Sequence, residues 1–207
     1  KELLLDISDR QLLIACGAGA GLASVYQVPF ASALFVLETL GVSWKLKNII
    51  IILATTYVSA YCAKPIVGGH ALYIVDKVTI DSSCFIQAII LALFVTPFAI
   101  IFGYFAKKAS SHRITGKEIL WTLPFAFLIL GGLSAYLPIF MGNGQVLAQW
   151  IFSGNSSAYL PVILIIKCLL VCLLLRRGAY GGTLTPSFAL GVGTGYLVTV
   201  LLGNFGF

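Results

Sequence analysis

The stretch from Gly178 to Tyr196, GAYGGTLTPSFALGVGTGY, decides how the rest of the chain is read. Gly178, Gly181 and Gly182 permit tight or left-handed backbone, and Thr185 is a fair N-cap. Pro186 fits the first helical position, where its missing N–H is not needed. The spacing predicts a helix beginning near Thr185. Residues 188–202 are almost wholly apolar, so this helix lies in a membrane and the turn before it sits at membrane depth. Irregular backbone at that depth has to be packed in protein or line a cavity, and amides at a helix N-terminus attract anions. One reading is therefore an anion site. The other is an ordinary loop and helix cap at the membrane surface, which Arg176 and Arg177 just upstream suit equally.

Composition makes the membrane reading general. Apolar residues are 59% of the chain and charged residues 10%, so long apolar runs dominate and a water-soluble globule is excluded. The net charge of +6 sits between the apolar spans and forms no single patch with aromatic platforms, so no nucleic-acid partner is expected. The five cysteines, Cys16, Cys62, Cys84, Cys168 and Cys172, lie within or beside apolar runs and are odd in number, which argues against a disulfide framework. Cys168 and Cys172 share a helix face, but no nearby histidine or carboxylate completes a metal site, and no metal is expected. The chain begins with Lys1, without a signal-peptide pattern, and reads as a fragment.

In chain order, residues 1–11 are charged and amphipathic, with Leu3, Leu4 and Leu5 beside Asp6, Asp9 and Arg10. They suit an interfacial lead-in in which Asp9 caps the next helix. Residues 12–26 are dense in Gly and Ala, with Gly17 and Gly21 four apart, the small-residue pattern of closely approaching membrane helices. Pro29 breaks that helix, and 30–41 is too short to span comfortably. Spans follow at 48–63, 84–106, 119–140 and 158–175; the first is short and has to sit nearly upright or thin the bilayer. Between them Lys45 and Lys47 give +2, and Lys64 and Lys77 cancel Asp76 and Asp81. Lys107, Lys108, Arg113 and Lys117 against Glu118 give +3. Residues 141–157 are uncharged, and Arg176 with Arg177 gives +2. That alternation places the basic loops inside and the neutral ones outside. Trp44, Tyr104 and Trp121, beside basic loop residues, suit the interface. Within 141–157, Gly142-Asn143-Gly144-Gln145 reads as an outer turn, followed by a short helix or simply a surface turn.

Two segments resemble a known family. Gly182-Thr183-Leu184-Thr185-Pro186, with Ala189-Leu190-Gly191 after it, is similar to the G-x-F-x-P segment of the ClC chloride channel and antiporter family. GAGAGLASVYQVPFASALFVLE, from Gly17 to Glu38, resembles another signature of that family. The resemblance spans most of the chain, with its motifs at the two ends. It implies an all-α, polytopic membrane protein of tilted and broken helices, with 1–207 as part of one ClC-like membrane domain. It implies passage of chloride or a similar small anion as a channel or exchanger at the cell membrane, a homodimeric assembly with residues 30–63 near its interface, and no cofactor. The main-chain amides of Thr183 and Leu184 are implied to hold the anion, with Gly182, Thr185 and Pro186 forming the turn and helix start. Leu184 stands where the family has phenylalanine. The family's G-R-E segment, serine loop and late tyrosine are not found in this chain, which alone should not conduct.

Lys167 lies mid-span, where an unpaired ammonium costs roughly 2.5 to 3.5 kcal/mol, so it has to face water, a carboxylate or the protein interior. The resemblance puts a basic residue here beside the ion path. The alternative is a lysine held against helix-end carbonyls. Glu38 is read as a structural carboxylate near a helix end, and Thr39 occupies the position of the family's inner proton-accepting glutamate. His70 and His112 fall in polar loops without a nucleophile or paired carboxylate, so no catalytic site is expected. A secondary transporter of a small organic solute also uses broken helices and glycine-rich turns, but only Glu38 supplies a carboxylate inside an apolar run. A membrane assembly subunit without transport activity is a further alternative.

Overall fold

The computed structural model describes residues 7–68, 72–75, 82–155 and 157–203. The readings above for residues 1–6, His70 and residues 76–81 lie outside them. Two compact units are present, Lys1–Leu72 and Tyr73–Phe207, each taken here by itself.

The first unit contains α1 (Ile7–Tyr26), α2 (Pro29–Thr39) and α3 (Leu46–Val67). α1 starts before the apolar run, so Asp9 lies within its first turn and does not cap it. A carboxylate there complements the helix dipole from inside the helix. Gly17 and Gly21 have nothing packed over them. The close approach runs instead through Ala15, Gly19 and Ala23, and a Cβ on Gly19 would sit 3.0 Å from Thr56 and 3.3 Å from Val36. The small-residue stripe is thus offset by two positions, which places it on another face of the helix. Ser59 Oγ donates to the Ala20 carbonyl at 2.8 Å, adding a polar tie between α1 and α3. α3 is not a short span. It runs 22 residues through Lys64 and Pro65 and ends at Gly68 in the left-handed region, φ 89°. A lysine in a last turn favours the helix dipole, so the first charge was not the boundary.

The second unit contains α4 (Ser82–Ser111), α5 (Ile119–Tyr136), α6 (Gln145–Phe152), α7 (Leu160–Arg176) and α8 (Leu184–Gly203). Short 3-10 turns at Gly116–Glu118 and Pro138–Phe140 flank α5. α5 therefore ends before Phe140, because Leu137 is extended and Pro138 cannot continue the ladder. The neutral loop does fold into a short helix, α6, started by Gly144 at φ 103°. The unit's core joins Phe102 of α4, Leu147 and Ile151 of α6, Leu160 and Leu164 of α7, and Ala189 and Leu190 of α8. α7 and α8 approach closely where Gly193 faces Leu164.

All regular elements among the described residues are helical. Four are long and apolar enough to cross a membrane, namely Leu46–Val67, Cys84–Ser111, Gly116–Tyr136 and Leu184–Gly203. Their outer faces carry apolar side chains such as Phe85, Leu93 and Ile100, each exposed by at least 65%. In water such a surface would aggregate, and in a bilayer it is solvated by lipid. The fold is that of an all-α, multi-pass integral membrane protein.

One of these close glycine contacts is directly testable. A Cβ on Gly144 would lie 2.7 Å from the Ala189 Cβ, at a positive φ that already disfavours L-residues. Gly144→Ala should lower stability by about 3 kcal/mol, read as thermal unfolding in detergent. Gly154→Ala, at φ 75° with open space around it, should lose only the backbone part, about 1 kcal/mol.

Candidate functional site

α7 ends in a Schellman motif. Gly178 takes φ 103°, its N–H donates to the Leu175 carbonyl, and the Ala179 N–H donates to the Leu174 carbonyl at 3.0 Å. Of the motif's glycines only Gly178 is left-handed. A Cβ there would also run into the Ile119 side chain. Gly181 and Gly182 are open and exposed. Their lack of side chains leaves space over the turn.

The following helix starts slightly earlier than the N-cap reading of Thr185 implied. The Thr183 carbonyl accepts the first helical bond, from the Ser187 N–H at 2.9 Å, and Ser187 Oγ donates to it as well at 2.7 Å. Thr183 is thus the cap position and Pro186 the third residue of α8. A proline is still tolerated there, because first-turn amides have no intrahelical acceptor to lose. The same rule leaves the amides of Thr183 and Leu184 at a helix N-terminus carrying partial positive charge.

This turn lines a cavity of about 1000 Å³. Gly181, Gly182, Thr183 and Ser187 form one side. Phe98, Phe102, Lys107 and Ser110 of α4, Leu164, Cys168 and Cys172 of α7, and Leu190 and Thr194 of α8 form the others. A mostly apolar space with a few hydroxyls, one cation and a helix N-terminus has the polarity an anion needs: donors at one place and little competing negative charge. Gly182 and Thr183 of the predicted site come together here. Leu184 is 46% exposed and outside the lining, whereas Thr185 and Pro186 are buried in packing.

Lys167 is placed elsewhere. It is 1% exposed, and its Nζ donates to the Phe140 and Gly142 carbonyls, each at 2.8 Å. The cavity is lined from α7 by Leu164 and Cys168, and Lys167 points away toward the connection between α5 and α6. Glu38 and Thr39 are exposed at the end of α2, in the first unit. Sequence reasoning missed Ser187, Lys107 and Ser110. Ser187 could have been found from its place four residues after Thr183, one helical turn away.

The description of the voltage gated chloride channel family matches residues 1–206. The chain belongs to this family. A voltage-gated ClC-type chloride channel ClcB of Citrobacter koseri is 29% identical over 191 residues, covering 90% of this chain and 46% of the relative. A protein of the same description from Escherichia coli is 29% identical over 206 residues, covering 93% of this chain and 47% of the relative. The chain therefore spans about half the length of these voltage gated chloride channel relatives. No solved structure gives a significant match.

Lys167 can be tested as a structural cation. Lys167→Met strands two buried carbonyls, each costing about 1 to 3 kcal/mol, partly offset by removing a buried ammonium. Thermal unfolding in detergent should report a net loss of about 2 kcal/mol. Unchanged stability would mean that burying the ammonium costs as much as its two bonds return.

Proposed function

We propose that the protein carrying this chain passes chloride or a similar small anion across the bilayer, and that the main-chain amides of Thr183 and Leu184 contribute to the anion's binding site. The observation that carries this reading is the family match over residues 1–206 together with the position of the Gly181–Gly182–Thr183 turn, at a helix N-terminus and on the wall of a cavity. Backbone donors suit a permeant anion, since they supply directional bonds without the deep well of a full counter-charge. The family match favours an inorganic anion over an organic solute. Homodimeric assembly is part of the same proposal. The exposed apolar side chains Phe30 and Leu34 of α2, and Tyr57, Val58 and Tyr61 of α3, offer surface for it.

We further propose passive conduction over proton exchange. Thr39 cannot accept and release a proton near neutral pH, and adjacent helix residues point about 100° apart, so Glu38 does not replace it in position.

Radiolabelled chloride efflux from proteoliposomes tests the site. Leu184→Ala should keep chloride flux and selectivity, whereas Thr183→Pro, which deletes an amide donor, should reduce flux by about tenfold or more. Equal behaviour would rule out backbone ligation. In the same vesicles a chloride gradient imposed without a pH gradient should move no protons uphill. Stoichiometric proton pumping that survives Thr39→Val but not Glu38→Gln would overturn the channel reading.

A further inference from the structure

Between the Schellman end of α7 and the first bond of α8, the chain crosses Tyr180, Gly181 and Gly182 as a strap. Two glycines in succession give that strap wide conformational freedom. Yet it leads straight into the amides of Thr183 and Leu184, on which an anion would sit. Something outside the strap has to hold it.

The connection after α4 does so. The Arg113 guanidinium carbon lies over the Tyr180 ring, 4.1 Å from its centroid, a cation–π contact. Arg113 also donates from Nη2 to Ser110 Oγ at 3.1 Å, and Ser110 lines the cavity. Next to Arg113, the Ile114 N–H donates to the Arg176 carbonyl at 2.9 Å. The Ile114 carbonyl and the Ile119 side chain close over the bare Cα of Gly178. These ties run from residues 110–119 to residues 176–180, so the connection is fastened to the end of α7 and, through Tyr180, to the strap.

We propose that Arg113 and Tyr180 form a clamp that positions the Gly181–Gly182–Thr183 turn, and that the two side chains are positioning residues for anion selectivity. The anion part rests on the function proposed above; the clamp itself does not. Tyr180 is 81% exposed, so the contact acts at the modest strength of an exposed cation–π pair, corresponding to about a two- to fivefold effect. Tyr180 needs only its ring face, so phenylalanine or tryptophan should serve in its place and leucine should not.

The experiment has two arms. In proteoliposomes of the protein carrying this chain, Tyr180→Leu and Arg113→Gln should each shift the chloride-to-nitrate permeability ratio by about two- to fivefold in the same direction. The double variant should shift no further than the larger single, and Tyr180→Phe should keep the parental ratio. In a background with the native cysteines replaced, Gly182→Cys should be labelled by a water-soluble thiol reagent about two- to fivefold faster once Tyr180→Leu is added, whether or not anions flow. If the parent carries no anion but labelling accelerates, the anion reading fails and the clamp stands. An unchanged labelling rate overturns the clamp. So does a Tyr180→Phe protein that behaves like Tyr180→Leu, or strictly additive shifts in the double variant.

Discussion

The second unit depends on one ammonium group. The carbonyls of Phe140 and Gly142 belong to a non-helical connection packed inside a helical bundle, where water is scarce and an unpaired carbonyl is costly. Lys167 reaches across from α7 and satisfies both. With that connection pinned, Gly144 can begin α6, and its bare Cα admits Ala189 against it. Ala189 in turn is buried one turn beyond the start of α8. A line of contacts thus leads from a buried cation to the turn on the cavity wall, although the cation itself never faces the cavity.

Close approach by small residues recurs in both units. Gly19 meets Thr56 and Val36, Gly144 meets Ala189, and Gly193 meets Leu164. Lipid removes the ordinary hydrophobic drive for helices to associate, so packing and occasional hydrogen bonds have to supply it. Ser59 on the Ala20 carbonyl and Lys167 on its two carbonyls are hydrogen bonds of that kind. Both sit beside a small-residue contact, where the backbones are near enough to be reached.

Most of the architecture was legible in the sequence because apolar runs and prolines mark helix bodies and breaks directly. The break at Pro29 and the start of α8 within two residues follow from local rules, whereas the residues after Gly144 fitted a short helix and a plain surface turn equally. What was not legible is which way side chains face. Gly17 and Gly21 have the spacing of a contact motif, but the contact belongs to Gly19, because helix rotation is set by tertiary packing and not by any one pair. Lys167 was equally compatible with a cavity wall and with helix-end carbonyls; choosing between them needs the position of Phe140, 27 residues away. The cavity-lining Lys107 and Ser110 carried no motif at all, since their role arises from where the end of α4 meets α7 and α8.

The length of α4 has a geometric consequence for water. Thirty helical residues rise about 45 Å, against a hydrocarbon core of about 30 Å. Even a marked tilt leaves part of the helix outside the hydrocarbon, and its polar end is the stretch with Lys107, Lys108, Ser110 and Ser111. Lys107, Ser110 and Ser111 line the cavity. That part of the cavity wall, beside the Gly181–Thr183 turn, therefore belongs to the polar end of a helix longer than the hydrocarbon it crosses, within reach of water.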